Sequence, residues 1–270
     1  MKAALTAARA TRNPLPAFTC YTLETAVGVL EAAETVSRPV ILLVSDAAMR
    51  DAAGARLVTA LVAVAQQARV PAWVQLDHCA DLERIRHALD LGAGAVMADG
   101  SHLDDAANAR FVERAVALAE PFDAAVEAEL GRVEGDEDID LAVEAGALTD
   151  PDAARRFVAS TGVDCLAVAV GNVHGSYRQR PRLDWPRLAR IVEELPVAVS
   201  LHGTSGLPAE DRRRAQQLGV VKFNVNTELR RGHMAVLRDR IAHDPASTDV
   251  LALTAALRRR AAEVAEELIT

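Results

Sequence analysis

The chain has 270 residues, half of them hydrophobic and a quarter charged, the composition of a globular protein with a sizeable core. A net charge of −8 and 3% aromatic residues argue against a nucleic-acid backbone or a base-stacking partner. The longest apolar stretch, Leu57 to Ala65 with Thr59 inside it, is far short of a membrane span, and three scattered cysteines (Cys20, Cys79, Cys165) read as free thiols of a reducing cytoplasm.

The first ten residues carry Lys2 and Arg9 around a weak Ala-rich stretch, which is not the pattern of a signal peptide. From there short apolar runs alternate with amphipathic ones. Strands are predicted over residues 17–20, 40–44, 72–76, 95–98, 125–130, 165–170, 197–201 and 221–225. Each is a Val-, Ile-, Leu- and Ala-rich run of the kind a parallel sheet buries on both faces. Helices are predicted over 23–36, 48–69, 82–91, 105–120, 152–160, 184–194, 209–218 and 227–242. Ser45 and Asp46 are candidate caps for the second of these, and Thr149-Asp150-Pro151 opens another.

Eight strand–helix pairs in about 250 residues are the count for a closed (β/α)8 TIM barrel, here over residues 1–270 as a single domain with an extra C-terminal helix. A doubly wound open sheet is the competitor. No Gly-x-Gly-x-x-Gly follows the first strand, so its dinucleotide-binding form is disfavoured. The two longest connections, 131–149 and 171–183, would both lie at the C-terminal face, where barrels build active sites.

The polar residues of interest fall at that same face. Asp77 and His78 close strand three, and Asp99 closes strand four with Ser101 and His102 just beyond. Glu127 and Glu129 lie in strand five, Asn172 and His174 follow strand six, His202 closes strand seven, and Asn224 and Asn226 close strand eight. Three histidines from three strand ends, His78, His174 and His202, suit a catalytic zinc with one open position. Asp99 and Glu129 are either partners orienting the imidazoles or ligands of a displaced metal. His102 is a reserve ligand or a loop cap; His87, His233 and His243 fall on or near helices and read as solvated.

Glycines frame His174 and His202 and suit close approach to an anion, to which Ser205 and Thr227 would add hydroxyls. Two carboxyl groups are acid/base candidates. Asp77 adjoins a candidate ligand but points the other way along its strand; Glu137 lies in an acidic run that is equally well a solvated loop.

Six motifs in order carry a resemblance: Leu76-Asp77-His78-Cys79, Met97-Ala98-Asp99-Gly100-Ser101-His102-Leu103, Val126-Glu127-Ala128-Glu129-Leu130-Gly131, Gly171-Asn172-Val173-His174-Gly175, His202-Gly203-Thr204-Ser205-Gly206 and Lys222-Phe223-Asn224-Val225-Asn226-Thr227. Together, over about residues 17–229, they resemble the class II, zinc-dependent ketose-bisphosphate aldolases, which include fructose- and tagatose-bisphosphate aldolases.

The resemblance implies a (β/α)8 enzyme, a homodimer or homotetramer, that cleaves or forms a carbon–carbon bond to give or use dihydroxyacetone phosphate through an enediolate. It makes His78, His174 and His202 the Zn2+ ligands, Asp77 the group exchanging a proton with the aldehyde-derived hydroxyl, and Glu137 the base on a loop. It assigns the phosphate and its neighbouring hydroxyls to Gly175, Gly203, Thr204, Ser205, Asn224, Val225, Asn226 and Thr227. It leaves a monovalent cation, Na+ or K+, open as an aid to phosphate binding.

Departures from the family pattern fall at Thr19, Thr22, Leu43, Thr204 and Glu134. They leave the candidate zinc residues intact and change the floor of the substrate site. A Schiff-base route is disfavoured, because Lys2 and Lys222 are the only lysines. Two other readings remain: a zinc hydrolase on the same barrel, and a non-catalytic sugar-phosphate-binding paralogue.

Overall fold

A computed structural model describes residues 1–135, 142–143, 147–177 and 182–269, with the side chains of 142, 143, 176 and 177 excepted. All eight predicted strands form: β1 Leu15–Thr19, β2 Val40–Ser45, β3 Ala72–Cys79, β4 Ala95–Ala98, β5 Ala125–Leu130, β6 Cys165–Val168, β7 Ala198–Leu201 and β8 Lys222–Val225. They close on themselves, each parallel to its neighbours, with β8 beside β1. The fold is therefore a (β/α)8 barrel and not the open sheet. Two two-residue strands, Ala142–Val143 and Ser176–Tyr177, pair outside it and join the two long connections.

Helices α1 Lys2–Thr11, α2 Leu23–Thr35, α3 Ala52–Gln67, α4 Leu82–Asp90, α5 Asp105–Ala119, α6 Pro151–Thr161, α7 Trp185–Glu194, α8 Ala209–Leu218, α9 Thr227–His243 and α10 Val250–Ile269 surround the barrel. Strand alternation sorts the core in two. Phe18, Leu42, Val74, Val96, Val126, Leu166 and Val199 face the helices in one large cluster. Leu15, Ala17, Ile41, Leu43, Ala95, Ala125, Cys165 and Ala198 point inward and fill the lower barrel. Leu5 and Ala8 of α1 join this inner cluster, so an Ala-rich segment that carried little sequence signal plugs the N-terminal end.

The predicted helix over 48–69 is broken. Residues Ala48–Arg50 form a 3-10 turn, and Asp51 caps α3 by accepting from the N–H groups of Ala53 and Gly54. Gly54 permits the break, since a Cβ there would lie 1.9 Å from the Ala48 carbonyl oxygen. Ser45 accepts from Ala48 N–H in the turn, and Asp46 turns instead to Arg84, 2.6 Å away. The other predicted start holds: Asp150 caps α6 with Pro151 as its first residue.

Because Leu5 is only 2% exposed within the plug, Leu5→Ala should lower unfolding free energy by about 2–5 kcal/mol through the cavity it leaves. Urea denaturation checks this, and metal affinity at the opposite end of the barrel should be unchanged.

Candidate metal centre

Residues from six strands meet at the C-terminal mouth. His78 lies in β3, Asp99 follows β4, Glu127 and Glu129 belong to β5, His174 follows β6, His202 follows β7 and Asn224 lies in β8. The three imidazole centroids stand 4.8, 4.8 and 5.8 Å apart, edge to face. With Glu129, their ligand atoms all lie within 4.8 Å of one another. A cavity of about 500 Å³ opens above, lined by Asp77, His78, Asp99 and His174 and rimmed by Ser45, Arg50 and Arg132.

His78 reaches this group through a bulge. A regular strand would turn Asp77 and His78 to opposite faces. Instead the register with β4 shifts between Leu76 and Cys79, and His78 takes a left-handed φ of 49°. The extra residue re-aims the chain, as bulges beside functional sites do, and both side chains line the same cavity. This corrects the expectation that Asp77 points away from its neighbour.

Hydrogen-bond polarity then decides what the histidines can do. His78 Nδ1 lies 2.7 Å from Asp99 Oδ2, and His202 Nε2 lies 2.9 Å from Glu127 Oε1. A carboxylate only accepts, so each of these ring nitrogens carries the hydrogen. Burial opposes the charge on both acids, but the His78 bonds to Asp99 and the Lys222 ammonium beside Glu127 outweigh it and hold both below the usual carboxylate range. Burial also pushes His202 down to about 4, so its ring is neutral.

What remains is His78 Nε2 facing His202 Nδ1 at 2.8 Å: a protonated His78 donates across that gap, and with both rings neutral two lone pairs meet there. Two lone pairs at that separation repel, and a shared cation turns the repulsion into ligation. Glu129 agrees: Oε1 accepts from Val133 N–H at 2.9 Å, while Oε2 is buried without a hydrogen-bond partner among the described residues. Burial, with Asp99 alongside, pushes this carboxyl up to about 8. The donor set fits a divalent metal ion. Asp99 holds His78 as an orienting partner, and Glu129 falls in the ligand group itself.

Beneath the histidines is a second polar layer. Lys222 Nζ lies 2.8 Å from Glu127 Oε2, Ser200 donates to Glu127 Oε1 at 2.5 Å, and Gln75 donates to Oε2 at 2.7 Å. Asn224 Nδ2 donates to both oxygens of Asp77, at 3.1 and 3.3 Å. Sequence reading assigned no role to Glu127, Lys222, Ser200 or Gln75. The available signal was a lysine and a glutamate at inward positions of strands otherwise built from small or apolar residues.

The glycine-framed residues gather beside this layer. Gly203 has φ 61°, and a Cβ on it would meet the Val173 carbonyl oxygen at 1.9 Å, so the loops after β6 and β7 touch there. Gly175 also has a positive φ, 76°. The Thr204 hydroxyl donates to the Asn224 carbonyl at 2.7 Å, and Ser205 donates to Glu228. Asn226 Nδ2 donates to the Tyr21 hydroxyl at 2.9 Å, Val225 packs in the helix-facing core, and Thr227 is the first residue of α9. Asn224 is thus turned into the barrel toward Asp77 rather than out toward the glycines. His102 lines the cavity outside the ligand group; His87, His233 and His243 lie on helices. Glu137 lies outside the described residues.

The model of the class-II fructose-bisphosphate aldolases matches residues 1–270. The chain belongs to that family. It is 38% identical over 266 residues to a fructose-bisphosphate aldolase of Thermus caldophilus, a match spanning 90% of this chain and 87% of the relative. The YdjI aldolase of Escherichia coli K12 superposes with a TM-score of 0.86 at 30% identity, covering 99% of this chain and 94% of that one. A candidate fructose-1,6-bisphosphate aldolase from Coccidioides immitis gives 0.89 at 34% identity, covering 98% and 92%. Family membership makes the protein a metal-dependent aldolase, a carbon–carbon lyase, and implies a phosphorylated sugar substrate. Among the described residues no helix is long and apolar enough to cross a membrane.

Glu129 and His202 give the metal-free protein opposite pH slopes. Glu129, raised from 4.5 to about 8, withdraws stability as pH rises through that window; His202, lowered from 6.5 to about 4, withdraws it as pH falls. Between pH 6.5 and 8 only Glu129 of the two titrates. Metal-free protein should lose about 1.4 kcal/mol per pH unit there, and Glu129→Gln should flatten the slope. Chemical denaturation at the two pH values, in chelator, measures both.

Proposed function

We propose that this family member is a zinc aldolase that reversibly cleaves a phosphorylated ketose to dihydroxyacetone phosphate and an aldehyde, with His78, His174 and His202 as the metal ligands. The observation that carries the ligand assignment is the convergence of His78 Nε2 and His202 Nδ1 at 2.8 Å, each ring's far nitrogen being taken by a carboxylate. Three imidazoles with room for substrate suit zinc among the divalent ions. Bound there, zinc supplies Lewis acidity that polarises the ketone carbonyl and makes the neighbouring C–H more acidic.

The chain's own groups handle the protons. Asp77 is fully buried beneath the cavity, and Asn224 donates to both of its oxygens, which keeps the carboxyl turned toward the substrate space. In cleavage it takes the proton of the hydroxyl that becomes the aldehyde; in synthesis it returns one to that oxygen. Glu137 is our candidate for the base that removes a proton from dihydroxyacetone phosphate, on the strength of the sequence resemblance.

For the phosphate we assign the backbone of Gly175, Gly203, Thr204 and Ser205 together with Val225, Asn226 and Thr227 at the start of α9, where N–H groups and a helix terminus favour an anion. Of the residues assigned to the phosphate from sequence, Asn224 is better explained as the partner of Asp77. The buried free thiols of Cys20, Cys79 and Cys165 accord with a cytoplasmic enzyme. Exposed Ile241, Val250 and Leu251, at the end of α9 and the start of α10, are apolar surface of the kind a homodimer or homotetramer would cover. The rival hydrolase and binding-only readings are not favoured by the family match.

The deciding experiment is exchange of the C–H protons of dihydroxyacetone phosphate into deuterated water. Zinc-loaded protein should catalyse it, and a chelator should stop it; no exchange from loaded protein overturns the donor assignment. His174→Ala should lose zinc and exchange together. Asp77→Asn should keep zinc and lose about 10²–10⁴-fold in cleavage, and normal turnover by that variant would remove Asp77 from the reaction. Glu137→Gln should depress exchange more than any other loop substitution.

A further inference from the structure

Lys222 occupies a place that neither metal binding nor proton transfer uses directly. It is one of two lysines in the chain and is fully buried inside the barrel. Its Nζ lies 2.8 Å from Glu127 Oε2 and 2.5 Å from Asn224 Oδ1. The side chain does not line the substrate cavity.

An ammonium has three hydrogens to donate and no lone pair to accept with. Contact with it therefore settles the polarity of groups that could otherwise face either way. An asparagine amide has nearly the same shape in either orientation, and its neighbours' donors and acceptors choose between them. Here Lys222 takes the oxygen, so the Asn224 NH2 must face Asp77, whose two oxygens it reaches. On the other branch Lys222 takes one oxygen of Glu127. The second Glu127 oxygen accepts from Ser200 and from His202 Nε2. His202 is thereby held in the tautomer that presents the Nδ1 lone pair to His78 Nε2.

We propose that Lys222 is the positioning residue that couples the two halves of the site. Through Glu127 it keeps His202 a lone-pair donor to the metal, and through Asn224 it holds Asp77 toward the substrate. The inference rests on the ligand assignment made above, but it concerns a residue outside the ligand set. It distinguishes Lys222 from a mere counter-charge. A buried ion pair replaced on both sides by neutral groups of similar shape commonly leaves the fold intact. If Lys222 served only to balance Glu127, adding Lys222→Met to Glu127→Gln would have no further effect on Asp77. If it sets polarity, Lys222→Met/Glu127→Gln loses more cleavage, relative to exchange, than Glu127→Gln alone, because the Asn224 amide is then free to turn.

The test compares wild type, Lys222→Met, Glu127→Gln and the double variant for zinc affinity by chelator competition, for fold by circular dichroism and Tm, and for both half-reactions. Lys222→Met and the double variant should bind zinc at least about tenfold more weakly, the size of effect seen when a partner of a ligating histidine is removed. At saturating zinc, cleavage should fall further than proton exchange, because Asp77 is freed while the exchange base is not. If Lys222→Met misfolds, the double variant set against Glu127→Gln decides. A ratio of cleavage to exchange in the folded double variant equal to that of Glu127→Gln alone would overturn the proposal. His202→Ala separates the two layers of inference: if it binds zinc as tightly as wild type, the ligand assignment itself fails, and the role of Lys222 with it.

Discussion

Two ring nitrogens, one on His78 and one on His202, face each other at 2.8 Å, and much of the upper barrel holds them so. Asp99 claims the far nitrogen of one ring and Glu127 that of the other. Each acceptor is itself fixed, Asp99 by the Ser101 N–H at 3.0 Å and Glu127 by Lys222, Ser200 and Gln75. Hydrogen bonds to charged groups contribute about 1.5–3 kcal/mol each when buried, so these contacts hold the two rings firmly in place. The two nitrogens thus converge before any ion is present, and a cation bound between them would couple its binding to folding through these few contacts.

The barrel's interior divides by chemistry along its axis. Small and apolar side chains fill the lower part, among them Ala95, Ala125, Cys165 and Ala198, with α1 closing the end. Polar side chains from β3, β5, β7 and β8 fill the upper part, and the Glu127–Lys222 pair lies on the boundary. The packed lower layer gives the strands little freedom to shift, so the strand-borne ligands are placed by a rigid frame. That arrangement gives tighter positioning than loops alone can. His174, which comes from a loop, is tied to the neighbouring connection after β5 by its own N–H, which donates to the Glu134 carbonyl at 2.8 Å.

The barrel was legible in the sequence because eight buried parallel strands each leave an apolar run, and the mouth was legible because histidines, asparagines and acids gather toward the C-terminal ends of those runs. Asp51 and Gly54 were less so. A cap and a tight approach inside an otherwise periodic stretch look like two tolerated helix residues until the preceding turn is seen. The bulge at His78 was hidden for a similar reason: Leu-Asp-His-Cys reads as plain alternation, and only pairing with β4 reveals the extra residue. Asn224 was drawn to the phosphate by its neighbours in sequence, whereas its partners Lys222 and Asp77 are set by the inward face of β8 and the closure of the barrel. Polarity networks of this kind depend on which side chains face inward at the same height, and linear spacing does not record height.

The helical plug has a practical corollary. Since α1 seals the end of the barrel opposite the histidines, anything joined ahead of it, whether a fluorophore, a resin linker or a fused carrier, would stand a full barrel length from the chemistry. Catalyst anchored to a solid support through that end would present its open mouth to the passing stream. The route for sugar phosphates entering and leaving would stay clear of the support.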